Sequence, residues 1–122
     1  MSTEILKSSR VENITSSAWT LIIPIADIDV NKTVTILSII ISNQHTAAVD
    51  VNLAFHNYNG SSYSNESRFL HTQTIGAKDT FVWSDRLVLY SPSSALRPSV
   101  KCLNESGGDT DVYTSYILQD FT

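Results

Sequence analysis

The chain has 122 residues, a mass of 13.5 kDa, a net charge of -4 and 42% hydrophobic residues. This length suits one domain with one core, and the hydrophobic fraction excludes an intrinsically disordered chain. Charged residues make up only 16% of the sequence, while Ser and Thr supply roughly a quarter of it. The acidic balance without a basic stripe excludes nucleic acid as the main partner, and the lack of a long apolar run excludes a membrane span.

The cysteine content and the first residues indicate the compartment and the domain limits. Cys102 is the single cysteine, so no disulfide can form within the chain, as suits a reducing compartment. The segment after Met1 lacks a basic region followed by an apolar one, so we expect no secretory signal and synthesis in the cytoplasm. Residues 1–18 are polar and weakly patterned, which predicts an N-terminal arm, with one β-sandwich domain over residues 19–122.

The predicted elements are nearly all strands, because β-branched residues alternate with polar ones and no segment repeats apolar residues at helical spacing. Strands are expected at residues 5–11 and 19–25, and Trp19, Phe81 and Trp83 are expected in the core. Residues 34–41 are apolar on both parities, which indicates a central strand covered on both faces.

The next strand is predicted from strict alternation over residues 49–56, with one buried side and one side in solvent. The residues predicted to be buried are Val49, Val51, Leu53 and Phe55, and those predicted to face solvent are Asp50, Asn52, Ala54 and His56.

The second half of the chain continues the pattern. Polar residues 57–65, with Asn59-Gly60 near their centre, predict an exposed loop too long for a minimal hairpin. Strands are expected at residues 68–75, 80–83 and 86–90, followed by a Ser- and Pro-rich loop. Residues 99–103 and 111–118 are predicted to pair as a final hairpin across Gly107 and Gly108. About eight short strands indicate an all-β, single-domain antiparallel β-sandwich, jelly-roll or immunoglobulin-like.

No catalytic signature is present in the sequence. A zinc or iron site would need His56 and His71 to face each other across neighbouring strands with Asp50 beside them, and no His-x-His pair supports it. Cys102 lies in a predicted strand, where a lone cysteine is usually a small core residue. No nucleophile elbow or phosphate-binding loop is present. We therefore predict that the protein is not an enzyme, with no catalytic residue, cofactor or metal.

The aromatic residues leave two kinds of binding open. A Tyr- and Ser-rich surface of low charge favours protein contacts, because it is desolvated easily and offers adaptable hydrogen bonds. The predicted interaction surface consists of Tyr58, Asn59, Tyr63 and Arg68. The alternative is a carbohydrate-binding or adhesion module that uses the loop from Tyr58 to Tyr63.

Several strand segments resemble small β-sandwich virion structural proteins of tailed bacteriophages. The resemblance covers roughly residues 30–118, and its motifs are a strand that ends in Asn, an acid-Thr pair that leads a strand, and a late Asp-Val-x-x-Ser strand. The segments that show it are residues 34–43, 48–53, 75–81, 87–89 and 111–116.

That resemblance implies an assembly protein without catalytic residues. Its expected stations on the particle are capsid decoration or cement, the head-tail neck, or the tail. Its expected partners are other virion proteins and further copies of itself as a homo-oligomer, with no nucleic acid and no membrane. Its expected location is the virion, after synthesis in the host cytoplasm.

Overall fold

The computed structural model describes residues 3–14 and 18–121. These residues form one 3-10 helix (Ile25–Asp27) and nine strands: β1 (Thr3–Ile14), β2 (Thr20–Leu21), β3 (Lys32–Asn43), β4 (Val49–Tyr58), β5 (Tyr63–Ile75), β6 (Thr80–Trp83), β7 (Leu87–Tyr90), β8 (Arg97–Asn104) and β9 (Thr110–Asp120). Within the described part of the chain, no helix has the length and apolar character needed to cross a bilayer.

The strands form two antiparallel sheets. Sheet A has the order β1-β9-β3, and β6 and β7 pair with successive halves of the free edge of β3. Sheet B has the order β2-β8-β4-β5. The antiparallel pairs are therefore nested, with β1 on β9, β2 on β8, β3 on β6 and β7, and β4 on β5. This nesting is the jelly-roll arrangement, so the predicted β-sandwich is confirmed and its topology is the jelly-roll one.

The core lies between the sheets and follows from the alternation of side chains along each strand. On β3 the inward row is fully buried, and the opposite row is only half-buried. The prediction that residues 34–41 are covered on both faces is therefore wrong for the outer face. The most deeply buried inward residues are Val34, Ile36, Ile39, Ile41, Val51, Leu53, Val100, Cys102, Val112 and Tyr116.

Two buried asparagines hold the connections between the sheets. The amide of Asn43 donates to the backbone oxygens of Ala47, Ile75 and Gly76. At the other end of the sequence, the Asn104 amide donates to backbone oxygens of Ile14 and Gly108. Each side chain replaces the ladder hydrogen bonds that the backbone loses where it leaves a sheet.

The final hairpin predicted from residues 99–103 and 111–118 is wrong. β8 pairs with β2 and β4 in sheet B, whereas β9 pairs with β1 and β3 in sheet A. The turn between them crosses from one sheet to the other because Asn104 fixes it from within and Gly108 packs closely. A Cβ atom at Gly108 would lie only 2.8 Å from the Val49 side chain. Turn chemistry alone does not distinguish such a crossing from a hairpin.

Two other local predictions need correction. The polar stretch at residues 57–65 is mostly strand, because β4 extends to Tyr58 and β5 begins at Tyr63, leaving a tight turn with Gly60 at a φ of 104°. The strand expected at residues 19–25 shrinks to β2, since Pro24 has no N–H to donate to a ladder and a 3-10 helix follows it.

The described part of the predicted arm, residues 3–14, forms β1 at the edge of sheet A. Its Lys7 points inward, where its ammonium lies 2.8 Å from the carboxylate of buried Asp27. The Tyr116 hydroxyl donates to the same carboxylate at 2.6 Å. The interaction of this segment with a neighbouring subunit stays a prediction, and residues 1, 2 and 15–17 of the predicted arm lie outside the described residues.

Candidate functional site

The predicted interaction residues lie on the outer face of sheet B, the face turned away from the core. Tyr58 and Tyr63 are register partners on β4 and β5, with ring centroids 4.8 Å apart. The side-chain oxygen of Asn59 accepts hydrogen bonds from the backbone N–H groups of Ser61 and Ser62, so it shapes the turn. The structure therefore brings Tyr58, Asn59 and Tyr63 together, while Arg68 makes its contacts further along β5.

Two cations flank the tyrosine pair. The Arg97 guanidinium lies 5.6 Å from the centre of the Tyr58 ring, and the Lys101 ammonium lies 3.4 Å from the centre of the Tyr63 ring. Burial lowers the pKa of Lys101 and, together with the neighbouring Tyr58, raises the pKa of Tyr63. The four side chains form a cation-ring-ring-cation row, in which cation–π attraction stabilises both ends.

Arg68 belongs to a second cluster on the same face, which the sequence did not predict. Its Nε donates to the Glu66 carboxylate at 2.8 Å, and its guanidinium lies 5.2 Å from the centre of the Trp19 ring. The Trp19 ring packs edge-on against His56, with centroids 5.1 Å apart. The prediction that Trp19 lies in the core is therefore wrong, because its ring covers the outer face of sheet B.

The packing of Trp19 on the outer face of sheet B buries His56 and alters its pKa. The side chain that we expected in solvent is 7% exposed, and its Nε2 lies 3.9 Å from the Glu66 carboxylate. Burial and the positive charge of Lys101 lower the pKa of His56, against an opposing effect of Glu66. The hydrogen bond from Arg68 lowers the pKa of Glu66.

The cluster also buries the centre of β4 from outside. Asn52 and Ala54, both expected in solvent, are 0% exposed. The Asn52 side-chain oxygen accepts a hydrogen bond of 2.7 Å from the backbone N–H of Thr72, a residue held at a φ of 47° where β5 departs from regular register. The outer face of sheet B is therefore a second packed layer built from polar and aromatic side chains.

The metal hypothesis concerns His56 and His71, and the nucleophile hypothesis concerns Cys102. Among the described residues, no three His, Cys, Asp or Glu side chains are grouped to hold a metal ion, and His71 is exposed while His56 is buried. Cys102 is buried in the core as predicted, and burial raises its pKa to about 12. A thiol in that state is a poor nucleophile at neutral pH.

The outer face of sheet A has a different composition, and sequence reasoning did not single it out. Several of its apolar side chains are open to solvent, with exposures of 53% for Val82, 62% for Val88, 62% for Tyr90 and 37% for Tyr113. They pair across strands with half-buried Ile40, Thr35 and Thr33 of β3. A shallow groove of about 560 Å³ opens between Leu6 of β1 and Leu37 at the irregular step of β3.

We call the centre of this face the uncharged patch. In the four register rows from Thr33 to Ile40, the outward positions of β3, β6, β7 and β9 hold no charged side chain. Charged residues lie only around it, such as Arg10, which contacts Glu12 at 2.7 Å and the Tyr113 ring at 5.1 Å. The patch comprises Thr33, Thr35, Leu37, Ser38, Ile40, Val82, Val88, Tyr90, Tyr113, Ser115, Ile117 and Gln119.

A sequence signal for this patch exists in retrospect. Side chains alternate along a strand, so the residues next to inward-facing Trp83 and Leu89 face outward: they are Val82, Val88 and Tyr90. Outward positions of a strand with one face in solvent are normally polar or charged, and these three are not. Short strands of four residues give too few repeats for this violation to be recognised without the sheet order.

Comparison with known proteins gives a fold and no family. No protein-family model and no curated protein matches the sequence. Among solved structures, the chain is similar to one from infectious bursal disease virus Gx strain, with a TM-score of 0.58 and 9% identity over 99% of this chain and 33% of that one. The VP2 subviral particle of the same virus gives a TM-score of 0.55 at 9% identity, over 99% of this chain and 32% of that chain.

A third similar structure is that of Bacillus endospore appendages, described as disulfide-linked pili, with a TM-score of 0.51 and 9% identity over 100% of this chain and 92% of that one. The present chain spans about a third of the length of the viral chains. At such low identity these matches show the fold alone: a β-sandwich that occurs in chains of virus particles and of a pilus.

Proposed function

We propose that this chain is a non-enzymatic virion structural protein that acts through subunit contacts, with the uncharged patch as its contact surface. The single observation behind the proposal is an exposed sheet face whose central rows hold aliphatic, aromatic, Ser and Thr side chains and no charge. The centres of subunit interfaces are depleted of charge in the same way, and large exposed apolar patches are rare on proteins that stay monomeric.

The occupant that we propose for the patch is a second copy of this chain. With no charge at its centre, the patch meets a copy of itself without electrostatic repulsion, as an isologous two-fold contact requires. Its hydroxyl groups and tyrosines supply hydrogen bonds at little desolvation cost, and Arg10, Glu12 and Asp111 at the rim offer both signs of charge.

The finer part of the proposal is a station on a bacteriophage particle, as capsid decoration or cement protein, or as a component of the head-tail neck or tail. Support comes from the resemblance of residues 30–118 to small virion proteins of tailed phages and from a fold that also occurs in chains of virus particles. The remaining partners are then other virion proteins, the location is the virion, and synthesis takes place in the host cytoplasm.

Sedimentation velocity of the purified chain tests the contact surface. The unaltered chain is expected to self-associate below about 1 mM, the range of weak specific complexes. Val88→Glu, which buries a charge in the contact, is expected to leave nothing larger than a dimer. Its melting temperature should equal that of the unaltered chain at a dilution where the unaltered chain is monomeric. The matched control is His71→Glu, an exposed position on sheet B, which should associate like the unaltered chain. A strictly monomeric chain, or equal association of both variants, would contradict the proposal.

A carbohydrate-binding or adhesion module remains the second proposal. It is favoured by the aromatic and cationic side chains gathered beside the turn from Tyr58 to Tyr63. A saccharide stacking there has to displace Lys101 from the Tyr63 ring, so affinity should rise in Lys101→Ala and vanish in Tyr63→Ala. A glycan array on the unaltered chain that gives no signal, at a protein concentration where assembly is detected, rejects this alternative.

A further inference from the structure

The sheets of a sandwich end in edge strands, and the edges of this molecule differ in how well they are protected. Open edges invite pairing with other chains, and proteins normally shorten, bend or cover them. β2 has two residues, and β6 and β7 have four each. β5 is long, but its register with β4 shifts at three places, and Asn65 and Thr72 have positive φ.

β1 is the exception among the described strands. It runs in unbroken register with β9 over residues 3–11, and its single irregularity comes after Val11. No other described strand pairs with its free edge. Leu6 and Ile5 on this strand are 72% and 51% exposed. A long, regular, partly apolar free edge is the geometry that accepts another strand.

The charges along β1 select a partner and a register. Up to Val11, the even-numbered side chains of β1 point outward and the odd-numbered ones inward. For sheet A to continue across two antiparallel β1 strands, outward residues must lie opposite outward residues, so the numbers of paired residues must both be even or both be odd. The register centred on Lys7 brings Glu4 of each copy opposite Arg10 of the other. Moving the two-fold axis one residue later along β1 brings Glu4 opposite Glu12, and these two carboxylates repel each other. Moving it one residue earlier leaves no two charged side chains opposite each other.

Two features of the chain suit that register. Glu4 and Arg10 both point to the outer face and are both exposed, so each can reach the partner strand while Arg10 also contacts Glu12 and Glu4 accepts from Gln119 within the chain. Lys7, which lies on the two-fold axis, points inward and has its own counter-ion 2.8 Å away in Asp27. The two lysines that face each other are therefore each neutralised within their own subunit.

We propose that a second copy of this chain pairs its β1 antiparallel with this β1 across a two-fold axis at Lys7, so that sheet A continues through the dimer. The contact deepens the proposed assembly function; it uses the free edge of β1, whereas the uncharged patch lies on β3, β6, β7 and β9, and the two adjoin at Arg10. With one face contact and one edge contact per chain, both two-fold, copies link into an extended assembly, whereas either contact alone stops at a dimer.

Charge reversal in the Val88→Glu background tests the edge contact by itself. That variant is expected to remain a dimer through its β1 edges. Adding Glu4→Arg, or adding Arg10→Glu, places like charges opposite each other twice and should weaken the dimer by about tenfold. Combining both reversals restores opposite charges and should restore the dimer. Circular dichroism melts of all four variants check that the fold is retained.

The outcomes separate this inference from the proposed function. If Val88→Glu is already monomeric while the unaltered chain is a dimer, the patch is the contact and the edge pairing is wrong. If each single reversal leaves the dimer unchanged, or the double reversal fails to restore it, the register centred on Lys7 is wrong. If Val88→Glu and the unaltered chain have equal mass and the reversals follow the expected pattern, the edge pairing stands and the patch fails.

Discussion

The two outer faces of this sandwich differ in composition and in how their side chains are used, since charged side chains lie among the rings of sheet B and are absent from the central rows of sheet A. On sheet B, Trp19, Arg68 and Glu66 pack on one another and bury Asn52 and His56 beneath them. On sheet A, Val88 and Tyr90 extend into solvent with more than half of their surface exposed. The outer side chains of sheet B contact one another within the chain, although Asn52 Nδ2 and His56 Nδ1 have no hydrogen-bond partner among the described residues, whereas Val88 and Tyr90 of sheet A are open to solvent.

The difference indicates where the chain meets others. A face whose cations, carboxylates and rings already contact each other has few groups left for a partner, and its contacts stabilise the fold. An uncharged face with exposed aliphatic side chains adds little to the stability of a monomer and gains the hydrophobic free energy only on association. Substitutions on sheet B should therefore alter unfolding, and substitutions on sheet A should alter assembly.

The largest expected effect on stability is that of Trp19→Ala. Removing the indole exposes His56 and Arg68 and should lower the free energy of unfolding by about 2–3 kcal/mol, since a large aromatic cover is lost. Urea unfolding followed by circular dichroism measures the change. Tyr90→Ala is the matched aromatic truncation on sheet A and should change stability by less than about 0.5 kcal/mol. Equal losses in the two variants would contradict the division between the faces.

A smaller effect is expected for Asn52→Ala. This substitution leaves the backbone N–H of Thr72 without its acceptor inside the protein and should cost about 1–2 kcal/mol in urea unfolding. Thr35→Ala, at an outward position of β3 in sheet A, is the matched polar control and should be nearly neutral. A neutral Asn52→Ala would mean that the packed layer on sheet B does not hold the irregular segment of β5.

The smallest effect is a pH dependence that belongs to sheet B. Because the pKa of His56 is lowered in the folded state, the unfolded chain takes up this proton first as the pH falls below 6.5. The free energy of unfolding should therefore be retained above pH 6.5 and decrease as the pH falls below 6.5. His56→Gln should flatten this slope in urea titrations at several pH values, and His71→Gln, at an exposed site, should keep it. An unchanged slope in His56→Gln rejects the assignment.

More of the fold than of the two outer faces can be predicted from the sequence. The strict alternation at residues 49–56 and the apolar run at residues 34–41 predict strands β4 and β3 because burial against one core imposes a period of two. Sheet order is less accessible, since Asn104 and Gly108 look like hairpin residues while their buried packing makes a crossing between sheets.

The faces were harder to predict because alternation identifies two sides without saying what covers the outer one. His56 and Asn52 were expected in solvent, and Trp19, 37 residues earlier than His56, turns out to cover them. Of the predicted surface, Tyr58, Asn59 and Tyr63 do meet at one turn, because Asn-Gly chemistry is local. Contacts between distant segments, such as Arg68 with Trp19, depend on the three-dimensional arrangement of the strands.

Hydroxyl-radical footprinting of the unaltered chain, in dilute and in concentrated solution, tests the central claim that sheet A is the assembly face. Tyr90, Val88 and Tyr113 should lose reactivity at the concentration where larger species sediment, because a second copy covers them. Tyr58 and Tyr63 should react equally in both samples. Protection of Tyr58 and Tyr63 with Tyr90 unchanged would contradict the account and assign assembly to sheet B.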